Sequence, residues 1–241
     1  MHPHRPLAVT ATALSALLLG AIALSGCTTA LSGCTTAPSV PGVAVDPAVS
    51  GEDHPTVAVS GEHHPTVAVI GDSIESGMGL RPAQAWPALV AVDRRWELEN
   101  YSVPGAGFVA LGDEQDFGAQ VDQAIALRAD MVLIGASDND LGRDVSTVSA
   151  AMTAAVQRLR TALPHARILG FNALTGEASD DDLAPLNTAL RDAVTAVGGH
   201  WLDLGQPYRG QAGLVQDDGE HPTPAGQQAI AAAFERIDDR A

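Results

Sequence analysis

The sequence predicts one three-layer α/β domain on a five-stranded parallel sheet, carried behind an export segment and a tether. Three observations predict it. From Thr66 onward short apolar runs alternate with stretches of helical period, and strands that alternate with helices assemble into parallel sheets covered on both faces. Polar, glycine-bearing segments follow four of those runs, where such sheets carry their functional loops. The 241 residues, 46% hydrophobic, can bury the core of one domain of about 150 to 200 residues and leave an appendage.

The appendage comes first. Arg5 is the one firm positive charge ahead of an uncharged stretch from Leu7 to Leu24, and small residues then precede Cys27, the layout of a signal peptide over residues 1–26. Thr, Ser and Ala dilute the stretch too much for a membrane span. Leu24-Ser25-Gly26-Cys27 resembles a bacterial lipobox, which makes Cys27 the expected lipidation site. The heptad LSGCTTA recurs at 31–37 and puts Cys34 in a second such box, farther from the apolar run. Residues 27–64 read as a flexible tether rich in Pro, Gly, Ser and Thr. Within it VSGEDHPTVA (49–58) is echoed by VSGEHHPTVA (59–68), and only the second copy continues into Ile70-Gly71-Asp72-Ser73. The first copy is therefore expected in the tether and the second in the first strand. His54, His63 and His64 reflect that duplication better than a metal site.

The domain is expected over 65–241. Its strands are predicted at 66–71, 96–101, 131–136, 166–171 and 200–204, from short runs rich in Val, Ile, Leu and aromatic residues. Val145, Val148, Met152, Val156, Leu159 and Leu163 recur at helical spacing until Pro164, and Leu183, Leu186, Leu190, Val194 and Val197 until Gly198-Gly199. Thr223 as N-cap with Pro224 behind it opens a last helix whose buried stripe is Ile230, Phe234 and Ile237. Trp86, Trp96 and Trp201 fall within apolar patterns and are expected in the core.

Charge and cysteine content exclude several functions. A formal charge of −16 with no Lys argues against a nucleic-acid surface. Cys27 and Cys34 are the only cysteines, so the domain has no disulfide, redox pair or Cys-bound zinc. A monomer without cofactor or metal is expected, touching the membrane only through its lipid.

Four polar segments remain to be explained: GDSIESGMGL from Gly71, NYSVPGAG from Asn100, SDNDLG from Ser137 and DGEHPTPAG from Asp218. Serine-based hydrolysis needs a hydroxyl, a histidine to take its proton, an acid to orient the histidine, and donors for the oxyanion. Ser73 at a strand-ending turn exposes both its Oγ and its N–H, and Asp218 lies three residues before His221, near enough to hold its ring. Asp217 is a rival for that acid. Asp72 and Asp140 are expected to brace the turns beside Ser73 and Asn139, Glu75 to be solvated, and His165 and His200 to be structural.

In order and spacing these segments resemble the four blocks of the SGNH (GDSL-type) hydrolases over essentially residues 66–238. The resemblance implies a flavodoxin-like sandwich, Ser73 as nucleophile, and His221 and Asp218 as base and orienting acid. It implies an oxyanion hole from the N–H of Ser73, the N–H of Gly105 and the side-chain amide of Asn139. Gly107 is the alternative to Gly105. Ser137 stands where the family usually has Gly, and Ile74 where it has Leu. The implied activity is hydrolysis of carboxylic esters outside the cytoplasm, with short acyl chains such as O-acetyl groups on glycans or lipids as expected substrates. An O-acyltransferase and a non-catalytic binding lipoprotein are the alternatives. Residues 106–118 are expected in the wall of the substrate pocket.

Overall fold

The computed structural model describes residues 64–111 and 115–238, all within the second of two units of the chain, Val57–Ala241. The export segment, the first repeat copy, Cys27, Cys34, His54 and His63 lie outside the described residues.

Five strands, β1 (Thr66–Ile70), β2 (Glu97–Asn100), β3 (Met131–Gly135), β4 (Arg167–Phe171) and β5 (His200–Leu202), form one parallel sheet in the order β2-β1-β3-β4-β5. Each expected strand is present within a few residues of its predicted ends. The second repeat copy does feed β1, where Thr66 pairs with Glu97 and Val67 with Met131.

Among the described residues six α-helices accompany the sheet: α1 (Ser73–Ser76), α2 (Trp86–Arg94), α3 (Phe117–Leu127), α4 (Val145–Ala162), α5 (Asp180–Ala196) and α6 (Pro224–Asp238). Alternate residues of a strand face opposite sides, and two separate cores follow. Ala68, Ile70, Val132, Ile134 and Ile168 pack with α3, α4 and α5. Val67, Val69, Met131, Leu133 and Leu169 pack with α2 and α6 through Trp86, Val90, Ile230 and Phe234. Each such apolar side chain contributes about 1.5–3 kcal/mol by leaving water. Both faces of β1, β3 and β4 are thus occupied, which is why these strands read as unbroken apolar runs instead of alternating ones.

The predicted periods of α4, α5 and α6 hold in the helix interiors, but Val145 at the start of α4 is exposed and Ile237 at the end of α6 is only partly buried. Thr223 Oγ1 accepts from Gly226 N at 3.2 Å to cap α6. Helices α2 and α3 have no counterpart among the sequence expectations. In α2 Pro87 and the exposed Val92 blur the apolar period, and α3 buries only Phe117, Gln120, Val121 and Ala124.

The order reverses direction beside β1, so the loops after β1, β2 and β3 converge on one edge of the sheet. The exit from β1 is held by Gln120 of α3, a fully buried polar side chain. Its Oε1 accepts from Gly71 N at 2.9 Å and its Nε2 donates to Gly71 O at 3.0 Å. Gly71 O also accepts from Val103 N at 3.2 Å. Gln120→Leu keeps the volume but strands the Gly71 N–H in an apolar interior, and is expected to cost about 1–3 kcal/mol. Urea unfolding at constant slope measures this, and a shift below about 0.5 kcal/mol would show that water replaces the amide.

Candidate active site

The first block turns immediately after β1. Asp72 caps α1, with Oδ1 accepting from Ile74 N at 2.9 Å, while Glu75 Oε2 returns to accept from Asp72 N at 3.1 Å. Gly77 ends the helix in the left-handed region at φ 68, where a Cβ is strained. Ser73 therefore begins a one-turn helix fixed at both ends. Its carbonyl accepts from Met78 N and Ser76 Oγ, both at 3.0 Å, and its own N–H has no partner among the described residues. Glu75 corrects the sequence expectation: it is 3% exposed instead of solvated. It folds back over Gly71, whose Cβ would lie 2.6 Å from it, and also accepts from Trp86 Nε1 at 3.3 Å. Burial, then the neighbouring Glu75 charge, raises the Asp72 carboxyl well above the usual range, and burial raises Glu75.

The second block leaves β2 at Asn100, whose Nδ2 donates to Glu75 O at 2.7 Å and whose Oδ1 accepts from Ser102 N at 3.2 Å. Ala106 N donates to Val103 O at 3.0 Å, closing a turn with Pro104 and Gly105 at its centre and Gly105 at φ 80. That geometry calls for Pro followed by Gly. The Gly105 N–H also has no partner among the described residues. Gly107 serves differently: a Cβ there would lie 2.6 Å from the Asp140 carboxylate. Asp140 accepts from the backbone N–H of Phe108 at 2.7 Å and of Val109 and Ala110 at 3.1 Å each. It thus braces the second block's loop, where the turn beside Asn139 was expected.

Ser137 joins the blocks. Its Oγ lies 2.6 Å from Asp72 Oδ2 and 3.0 Å from Ala106 O, and accepts from Asn139 N at 3.2 Å and Nδ2 at 3.1 Å. Asn139 Nδ2 also donates to Ala106 O at 3.0 Å. The residue that departs from the family pattern is therefore the hub through which the first three blocks touch.

In the fourth block one carboxylate holds both the loop and the ring. Asp218 Oδ1 accepts from the N–H of Glu220 and of His221, each at 3.0 Å, and its Oδ2 lies 2.7 Å from His221 Nδ1. The His221 N–H and ring hold the Asp218 carboxyl down at about 2. It is half exposed, so it remains ionised at neutral pH and the contact is lost only as pH falls toward that value. Asp217 is exposed and makes no such contact.

Ser73, Gly105, Asn139 and His221 line one cavity of about 420 Å³, together with Met78, Pro104, Asp138 and Glu220. Asp218 stands behind His221. The last four residues escaped the sequence reading, although Asp138 and Glu220 sit inside the blocks, each directly before a matched residue. None of the described residues of 106–118 lines the cavity, so the expected wall is instead Met78 and Pro104. Trp86 is fully buried, Trp96 and Trp201 are partly so, and His165 and His200 are on the surface. Among the described residues no group of three or more His, Cys, Asp or Glu is arranged to hold a metal ion.

Comparison with solved structures supports the fold. TesA superposes with a TM-score of 0.59 at 20% identity, over 71% of this chain and 97% of that one. The psychrotrophic esterase EstA of Pseudoalteromonas sp. gives 0.58 at 18%, over 73% and 97%. The salicylyl-acyltransferase SsfX3 of a tetracycline biosynthetic pathway gives 0.59 at 21%, over 74% and 55%. No curated protein matches the sequence. Residues 69–229, which span all four blocks, match the GDSL-like lipase/acylhydrolase family, and the chain belongs to that family.

Proposed function

We propose that the protein is a serine esterase acting on short acyl esters through an acyl-enzyme. Supporting this above all is one cavity shared by the Ser73 hydroxyl, the His221 ring and the donors of Gly105 and Asn139. Ser73 Oγ attacks the ester carbonyl as its proton passes to His221 Nε2. Asp218, ionised and bound to Nδ1, fixes the tautomer that leaves Nε2 free to accept, and stabilises the imidazolium. The tetrahedral oxyanion is received by the N–H groups of Ser73 and Gly105 and by Asn139 Nδ2, which exchanges its bond to Ala106 O or Ser137 Oγ for one to the oxyanion. His221 returns its proton to the departing alcohol, then takes one from water as it attacks the acyl carbon, and passes that proton to Ser73 Oγ as the acyl bond breaks and the carboxylic acid leaves.

Acyl transfer uses the same steps with an alcohol in place of water, and the likeness to an acyltransferase keeps it as the second reading. Products formed with and without a sugar acceptor separate the two. For localisation we propose export and anchoring through Cys27, checked by radiolabelled fatty acid incorporation that Cys27→Ala abolishes.

Two substitutions test the mechanism. Asn139→Ala should lower kcat for 4-nitrophenyl acetate by ~10² to 10³ with little change in KM, and an unchanged kcat would remove Asn139 from the oxyanion hole. Ser73→Ala should abolish labelling by a fluorophosphonate, and labelling that persists would exclude Ser73 as the nucleophile. A wild-type protein that binds esters without turning them over would instead be a binding module.

A further inference from the structure

Two carboxyl groups in the cavity have no part in the reaction proposed above. Asp138 directly precedes Asn139, Glu220 directly precedes His221, and both line the cavity beside Ser73. Both are partly buried.

Glu220 is fixed from a third direction. Its Oε1 accepts from Gly176 N at 3.0 Å, and its Oε2 from Glu177 N at 3.1 Å and Thr175 Oγ1 at 3.2 Å. The loop after β4 is pressed against this segment so closely that a Cβ on Gly176 would lie 2.3 Å from Gly219 O and 2.6 Å from Glu220 O. The carboxyl pair is therefore a seated wall of the cavity and not a mobile surface patch.

Two carboxyl groups on one cavity wall resist ionising together, because a second negative charge nearby is unfavourable. Burial raises both, and the neighbouring Asp72 raises Asp138 further. Loss of one proton leaves the two groups a single negative charge between them. The groups that bind Glu220 are neutral, the cavity lining contains no Arg, and the chain has no Lys. An uncompensated charge in a partly desolvated cavity acts on a ligand charge several times more strongly than one in open water.

On the esterase reading, we propose that Asp138 and Glu220 determine specificity, making the cavity prefer esters with a positively charged nitrogen group beyond the reacting carbonyl. Neutral isosteres gain only the packing, and anionic esters are repelled.

The test compares pairs that differ only by nitrogen for carbon. On the alcohol side these are acetylcholine and 3,3-dimethylbutyl acetate. On the acyl side they are the 4-nitrophenyl esters of 4-(trimethylammonio)butanoate and 5,5-dimethylhexanoate. At low salt the full-length protein should favour the cation in kcat/KM by roughly tenfold in at least one pair. Asp138→Asn leaves Glu220 ionised and keeps the preference, whereas the double variant Asp138→Asn/Glu220→Gln brings the ratio to about one. The ratio divides out any general loss of activity. Should the double variant not fold, tetramethylammonium in the wild type replaces it, and should inhibit hydrolysis of the neutral ester competitively where tert-butanol does not. No cation preference in either pair, a preference that survives the double variant, or no competition by tetramethylammonium overturns the proposal while leaving the esterase intact. Absence of turnover even with 4-nitrophenyl acetate overturns the esterase reading itself.

Discussion

The site depends on one buried hydroxyl. Ser137 Oγ contacts the Asp72 carboxyl of the first block, the Ala106 carbonyl of the second and the Asn139 amide of the third. These groups come from three strand ends that share no covalent neighbour. A buried polar group without partners costs about 1–3 kcal/mol, so the contacts with Asp72 and Ala106 penalise any displacement of one loop relative to the others. This arrangement sets Ser73, Gly105 and Asn139 along one cavity. The fourth block obeys a separate constraint, since Asp218 binds its own loop and the His221 ring with one carboxylate.

Much of this was legible in the sequence because the determining residues are local. The strands at 66–71 and 131–136 are unbroken apolar runs, and the sheet buries both of their faces. Asp218 and His221 stand three residues apart on one loop, so their contact required no knowledge of tertiary structure. Pro104-Gly105 announces its turn by the φ each residue permits. The failures share the opposite character. Glu75 reads as a surface residue until the chain folds back over Gly71 and Trp86 Nε1 comes within 3.3 Å. Gln120 gives no local sign that it will bind Gly71, 49 residues away. Ser137 looks like a deviation from a glycine position because two of its three partners, Asp72 and Ala106, lie on other loops.

The charge distribution gives the site a second layer of logic. Asp72 and Glu75 lie beneath Ser73 and Asp138 and Glu220 beside it, in a chain of formal charge −16. An oxyanion forming among ionised carboxylates would be raised in energy. Burial raises these four groups, which limits that charge to the single one we propose for Asp138 and Glu220, while the His221 N–H and ring hold the exposed Asp218 carboxyl down. Opposite shifts within one site thus separate the carboxyl beside His221 from those packed around Ser73.

The central claim, that Ser73 attacks and that its own N–H, Gly105 and Asn139 receive the oxyanion, is tested most directly by a crystal structure of the phosphonate adduct. The account predicts phosphorus bonded to Ser73 Oγ and one phosphonyl oxygen about 2.7–3.1 Å from each of the three nitrogens. Phosphorus on any other side chain, or that oxygen turned away from Gly105 N and Asn139 Nδ2, would contradict it.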